Sequence, residues 1–146
     1  MENIDIQIVE YNSELQKKSV ELRYEVLRKP LGLVYTTEQL AAESDEIHIV
    51  AVLADSVVGV VVLKKIDTDI LKMRQVAVAD EYQKSGIGKQ MVQFSEQFAL
   101  ENGFKVIELH ARDAAKVFYL KLNYEVVSDE FMEVGIPHYE MKKELI

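Results

Sequence analysis

The sequence contains no cysteine. Disulfides, thiolate metal sites and a cysteine nucleophile are thereby excluded, and the composition suits a cytoplasmic enzyme. Nor is there an apolar run of the length a membrane span needs, and the opening residues MENIDIQIVE are too acidic and polar for a signal peptide. Positive charge is short as well: 17 Lys and Arg stand against 25 Asp and Glu, a formal net charge of −8. A nucleic-acid binder normally carries a basic face, so that class is set aside, whereas an acidic surface favours a cationic partner such as an amine. No stretch rich in Pro, Gly and Ser marks a linker, and no repeat or low-complexity segment interrupts the chain. With 49% hydrophobic and 29% charged residues, positions 1–146 read as a single globular domain able to bury a core.

What is there is a regular succession of elements. Ile4, Ile6 and Ile8 alternate with polar residues, the pattern of a half-buried first strand. Ser13 followed by Gln16 resembles a capping box and opens a helix through Leu22, Val26 and Leu27, which Pro30 stops. TTEQLAAE reads as a short helix behind a threonine cap, and ESDE at 43–46 as a solvated loop. IHIVAVLADSVVGVVVLKK is a hairpin turning near Asp55-Ser56, and ILKMRQVAV is a strand over Ile70 to Val78. A helix over Gly86 to Leu100 ends at Asn102-Gly103. KVIELHA is a further strand, and Asp113 starts a helix that ends near Leu122, with Asn123 suited to the left-handed position. EVVSDEFMEVG and PHYEMKKEL close the chain as two strands. The economical architecture is an α/β fold, a mixed sheet covered by helices.

Glycine is scarce, with six in the chain, yet two stand one residue apart in QKSGIGKQ, Gln83–Gln90, between a strand and a helix. Free N–H groups at a helix start, with the positive end of its dipole, form an anion site. Gly86 and Gly88 would let a phosphate approach the backbone, and Lys84 and Lys89 add positive charge. A P-loop is excluded by Gln83 and Gln90, and a dinucleotide fingerprint by Met91, because each motif needs a different residue there. The same glycines also serve a plain tight turn.

Gln83-Lys84-Ser85-Gly86-Ile87-Gly88 resembles the Q/R-x-x-G-x-G/A motif of the GNAT superfamily of acetyl-CoA-dependent N-acetyltransferases. RQVAVADEYQKSGIGKQMV is similar to that family's strand, turn and helix, and AAKVFYLKLNYEVV to its second signature. LHARDAAKVFY with FMEVGIPHYEM resembles a narrower bacterial subgroup of small members. The likeness runs from about Ile47 to Lys143 and is weak over the earlier residues. It implies one GNAT domain over 1–146: a mixed, mostly antiparallel sheet of about seven strands flanked by about four helices. Two departures stand out. The usual Gly-Phe is Asn123-Tyr124, and Arg112 occupies the place where many members carry an asparagine.

By that resemblance acetyl-CoA is the co-substrate. Its pyrophosphate would rest on Gln83, Lys84, Ser85, Gly86, Ile87, Gly88, Lys89 and Gln90, and Arg112 would reach a phosphate. Backbone donors at Val76, Ala77 and Val78 would bind pantetheine and polarise the thioester carbonyl as an oxyanion arrangement. Tyr119 matches the family's tyrosine beside the sulfur; a phenol with a pKa of about 10 can donate to a leaving thiolate. On its own, Tyr119 equally suits a half-buried position on an amphipathic helix.

The acceptor's base stays open among Glu108, His110, Glu133 and His138, since no spacing singles one out. His138, after Ile136-Pro137, is the one the subgroup likeness places near the acceptor. The three histidines form no i,i+4 or H-x-H pair, so no metal is expected. Tyr24, Tyr35 and Phe131 are candidate linings of the acceptor pocket. The expected partner is a small-molecule or peptide amine, with no nucleic acid and no membrane, and the apolar residues over Val126 to Ile136 suit a homodimer contact. The alternative is a non-catalytic acyl-CoA binding or sensing module on the same fold.

Overall fold

Residues 3–146 are described in a computed structural model. Its strands are β1 (Asp5–Val9), β2 (Ile47–Leu53), β3 (Ser56–Lys65), β4 (Ile70–Val78), β5 (Val106–Arg112), β6 (Glu125–Val126), β7 (Phe131–Glu133) and β8 (Ile136–Glu144). The α-helices are α1 (Glu14–Arg23), α2 (Thr37–Ala41), α3 (Ile87–Glu101) and α4 (Lys116–Lys121). The strands form one sheet in the order β1-β2-β3-β4-β5-β8-β6, with β7 also pairing β8. β4 and β5 run parallel, whereas β1–β2, β2–β3, β5–β8, β6–β8 and β7–β8 are antiparallel.

Internal contacts divide the chain into two compact units. The first runs to Lys64 and resumes over Gln75–Ser95; the second comprises Lys65–Arg74 and Glu96–Ile146. Strand β4 therefore contributes to both, changing unit between Arg74 and Gln75.

In the first unit the β2–β3 ladder supplies most of the core, with Ile49, Val50, Val60, Val61, Val62 and Leu63 fully buried. Leu22, Val26 and Leu27 pack on Val60, Val62 and Ala77, which is why the helical run carries apolar residues at that spacing. Gly59 lets α3 seat directly on the sheet, since a Cβ there would lie 2.7 Å from the Met91 sulfur. The helix expected to end at Pro30 does not stay regular. α1 passes into a π-helix over Tyr24–Arg28 and a 3-10 turn over Lys29–Leu31, ending at Gly32 with φ 70°. Pro30 sits inside that last turn, where its missing N–H costs little, so the stop comes slightly later. Ser13 accepts from the Gln16 N–H, but the Gln16 side chain reaches the Asn12 N–H rather than that of the cap. The full capping box belongs to Thr36 and Gln39 at α2. Strand β1 forms as expected but leaves Ile8 47% exposed, so its alternation does not place Ile8 inside.

The β2–β3 turn falls on Ala54 and Asp55, at φ 48° and 68°, with Ser56 already paired to Leu53. A two-residue turn with both residues left-handed matches the twist of the flanking strands, which shifts it one position from Asp55-Ser56.

In the second unit β5 is flanked by β4 over Ile70–Met73 and by β8 along its whole length. The segment expected as one strand, EVVSDEFMEVG, splits into β6 and β7, which brings the sheet to eight strands. The cause is local: Val127 N–H still reaches the Glu140 carbonyl, but the Glu140 N–H is then taken by the Ser128 hydroxyl. A side chain replaces the next ladder acceptor, and the chain leaves the sheet. Asn123 holds the left-handed position after α4, at φ 72°.

Candidate active site

Two groups of the expected site residues lie in the first unit. Val76, Ala77 and Val78 end β4, directly after Gln75, whose φ of 52° breaks the regular strand conformation. Gln75 Oε1 accepts a 2.6 Å hydrogen bond from the Tyr35 hydroxyl. Tyr35 is faced by the guanidinium carbons of Arg23 and Arg28, at 4.7 and 4.6 Å from its ring centroid. Arg23 in turn makes a bidentate pair with Glu43, both contacts at 2.8 Å. Glu43 is therefore buried and paired, not part of a solvated loop as ESDE suggested. Its partner lies in α1, too distant in sequence for local composition to reveal it. Gln75, Arg23 and Glu43 are supports of the β4 end that the sequence did not disclose; the only available signal was a carboxylate and an arginine, each with many exposed counterparts.

The second group is the glycine turn. After a 3-10 turn over Asp80–Tyr82, Gln83 Nε2 donates to the Val78 carbonyl and to Asp80 Oδ1, both at 3.1 Å, bracing the loop on the end of β4. The Ser85 hydroxyl closes the turn on the Tyr82 carbonyl. Lys84 and Gly86 both take positive φ, 64° and 92°. A Cβ at Gly86 would meet nothing within 4 Å, so conformation and approach, not crowding inside the chain, are what require glycine here. The Gln90 N–H finds the Gly86 carbonyl at 3.0 Å, the first such bond of α3. The N–H groups of Ile87, Gly88 and Lys89 consequently have no acceptor within the helix. Lys84, Ser85, Gly86, Lys89 and Gln90 are exposed, while Ile87 is buried and anchors the helix start. A helix of this length, with open donors at an exposed glycine turn, offers the positive end of its dipole to solvent.

Tyr24 and Tyr35 line one cavity of this unit, of about 720 Å³, with Glu21, Glu25 and Asp55 also on its wall.

The second unit holds Arg112, Tyr119 and His138. Tyr119 lies on α4, 6% exposed, edge-on to Phe118 at 5.0 Å and to Tyr124 at 5.7 Å. Its hydroxyl has no hydrogen-bond partner among the described residues, and burial pushes the phenol's pKa up, so it holds its proton. Tyr124 is fixed beneath it by a 3.0 Å bond to Glu96, which also pairs with Lys143 at 3.0 Å. Burial, and then Glu96, push the Tyr124 phenol up as well.

Three of the four candidate bases converge. Glu133 Oε1 lies 2.9 Å from His110 Nδ1, and its Oε2 lies 3.6 Å from His138 Nε2. Phe131 stands edge-on to His110 at 5.1 Å and stacks on His138 at 6.0 Å. Phe131 thus belongs to this cluster and is no part of the cavity that Tyr24 and Tyr35 line. Glu108 is not joined to it; it faces Lys142 across the β5–β8 ladder, while Arg112 faces His138. No spacing in the sequence could show this convergence, because strand register produces it. Among the described residues no group of His, Cys, Asp or Glu is arranged to hold a metal ion.

Comparison with known proteins bears on this arrangement. Over 74 residues the chain is 40% identical to the uncharacterized protein YyaT of Bacillus subtilis, a match covering 51% of this chain and 50% of that one. The chain thus matches about half the length of that relative. A putative N-acetyltransferase from Lactobacillus plantarum superposes with a TM-score of 0.88 at 22% identity, covering 98% of this chain and 99% of that one. A GNAT family acetyltransferase from Elizabethkingia anophelis, solved with acetyl-CoA bound, gives 0.76 at 17% identity, over 97% and 98% of the two chains. These likenesses show the fold. No described helix is long and apolar enough to cross a membrane. The family model of the GNAT acetyltransferase domain matches residues 16–145, nearly the whole chain with the glycine turn inside it, and the chain belongs to that family.

Proposed function

We propose that the protein transfers the acetyl group of acetyl-CoA to a primary amine of a small molecule or peptide, by direct attack of the amine on the thioester. The observation that carries this reading is the turn before α3: three helix N–H groups without helical acceptors, an exposed glycine at positive φ, and Lys84 and Lys89 at the same place. These features support a pyrophosphate there, with its charge against the helix dipole. The Elizabethkingia structure, with acetyl-CoA bound on the same fold, supports that ligand. Val76, Ala77 and Val78 then supply backbone donors for pantetheine and for the oxyanion, Arg112 serves a phosphate, and the whole chain acts as one acyl-CoA N-acyltransferase domain. An acidic chain without cysteine, acting in the cytoplasm, suits a cationic acceptor.

Tyr119 is the general acid on the leaving thiolate. Its burial sets the magnitude. A phenol raised above its ordinary pKa of about 10 gives up its proton to a thiolate of about 8.5 only uphill, so hydrogen-bond donation to the departing sulfur is its larger contribution. The acceptor's proton leaves through the cluster that contains His138. A homodimer through the late strands fits Val126, Val127, Met132 and Val134, which remain 36–65% exposed; a monomer by sedimentation at tens of micromolar, about the range of transient interfaces, refutes it.

The test is release of free thiol from acetyl-CoA against a panel of amines. Gly86→Val in a folded protein should abolish detectable CoA binding, because valine cannot hold φ 92° and would cover the open N–H groups. Tyr119→Phe should keep CoA affinity and lower kcat by about 10²-fold, the low end for general acid catalysis. Unchanged CoA affinity in Gly86→Val, or unchanged turnover in Tyr119→Phe with chemistry limiting, would refute the respective assignment. CoA binding without thiol release for any amine would favour the sensing module instead.

A further inference from the structure

We propose that His110 takes the proton of the acceptor amine, with Glu133 as its orienting carboxylate and His138 as a positioning residue; this rests on the reading that the chain acylates an amine. The assignment follows from which ring nitrogen is free. His138 Nδ1 lies 3.0 Å from the Ile136 carbonyl, which can only accept, so Nδ1 carries the hydrogen. Its Nε2 faces Glu133 Oε2 at 3.6 Å, inside a side chain that is 4% exposed. Neither nitrogen of His138 is open to a substrate.

His110 is arranged the other way. Its Nδ1 lies 2.9 Å from Glu133 Oε1, and an ionised carboxylate can only accept, so Nδ1 carries the hydrogen. The lone pair is on Nε2, which has no partner among the described residues, in a side chain that is 28% exposed. A carboxylate on one imidazole nitrogen that leaves the other as base is the arrangement of the Asp-His pair in hydrolases. Phe131 holds both rings, edge-on to one and stacked on the other. The position also suits the chemistry. The parallel β4–β5 ladder ends at Met73↔Leu109, so His110 is the first residue of β5 beyond it. The charged and titratable groups sharing its face are Lys72 on β4, Glu108 and Arg112 on β5, Glu125 on β6, Glu133 on β7, and His138, Glu140, Lys142 and Glu144 on β8. Charges of both signs are present, and among these only Glu133 touches a nitrogen of His110.

The step balances without a further reactant. A protonated amine gives one proton to His110 Nε2 and keeps the electron pair on nitrogen. That pair forms the C–N bond to the thioester carbonyl carbon, and the C–S bond breaks with its pair on sulfur. The second amine proton ends on that sulfur by way of Tyr119, and the imidazolium returns its proton to solvent. Amide, thiol and one proton leave.

Two measurements on the full chain test this. Nitrogen–proton correlation spectra of the imidazoles should show neutral His110 with its hydrogen on Nδ1, and that preference should be lost in Glu133→Ala. With any amine that the thiol-release assay accepts, His110→Gln should lower kcat/KM by about 10²-fold at neutral pH and leave CoA affinity unchanged. The deficit should shrink as pH nears the amine's own pKa, where free amine no longer needs a base. His138→Gln should cost far less and keep the wild-type pH profile. An Nε2–H tautomer in the wild type, or a His110→Gln deficit equal at every pH, overturns the assignment while leaving the acetyltransferase reading intact. Failure of every amine, with CoA still bound, overturns that reading and the proton-acceptor role together.

Discussion

Glu43 and Glu133 are both carboxylates engaged at both oxygens, and they are built for opposite ends. Glu43, in the first unit, receives both terminal nitrogens of Arg23 at 2.8 Å in a pair where neither side chain is more than 4% exposed. Glu133, in the second, touches one histidine at 2.9 Å and approaches another at 3.6 Å while 44% exposed. In the first pair the planar guanidinium meets the carboxylate at two points, leaving little freedom, and the bonds lead on through Tyr35 to the left-handed Gln75. In the second cluster a ring nitrogen stays open and water can reach the acid. A closed network fixes backbone, whereas an open one can exchange a proton.

Breaking each carboxylate's environment in turn should expose this contrast. Arg23→Ala takes the guanidinium away from a buried carboxylate, and we expect a loss of about 3–5 kcal/mol in urea unfolding. Removing both charges with Arg23→Met and Glu43→Leu should restore much of it; a double variant as unstable as the single one would show that the pair contributes more than mutual neutralisation. Tyr35→Phe removes the bond to Gln75 together with the hydroxyl's interaction with Arg23, for about 1 kcal/mol, and should also weaken CoA binding by loosening the β4 end. Equal CoA affinity in that variant would uncouple Tyr35 from the donor strand. Glu133→Gln should change stability by less than about 0.5 kcal/mol, as expected of a half-exposed pair, yet reduce turnover. A large loss of stability there would erase the contrast.

Much of the frame was legible in the sequence because it is local. The β4 bounds, Ile70 and Val78, follow from β-branched residues and flanking turns, and Thr36, Gly86 and Asn123 occupy the conformations their chemistry favours. What stayed hidden depends on partners distant in the chain. Glu43 reads as solvated until α1 brings Arg23 to it, and the π-helix over Tyr24–Arg28 leaves no mark in an apolar periodicity that suits an α-helix equally well. The site divides in the same way. The glycine turn is contiguous and was readable; His110, Glu133 and His138 lie on three strands, and only their register shows that Glu133 stands between the two rings.

That register hangs on a single short turn. Val134 and Gly135, at φ 47° and 79°, join β7 to β8 with no residue to spare, and Glu133 pairs directly with Ile136. Strand side chains alternate faces, so a one-residue slip of β7 against β8 would pass Glu133 to the opposite side of the sheet even though every amino acid of the cluster were still encoded. The proton-handling group is thus specified by a count as much as by composition. Val134, a β-branched residue held in a conformation costing roughly 1–2 kcal/mol, is tolerated in a turn whose length sets that count. Related chains that keep the histidines and the glutamate but differ in this spacing would carry the parts of the device without its function.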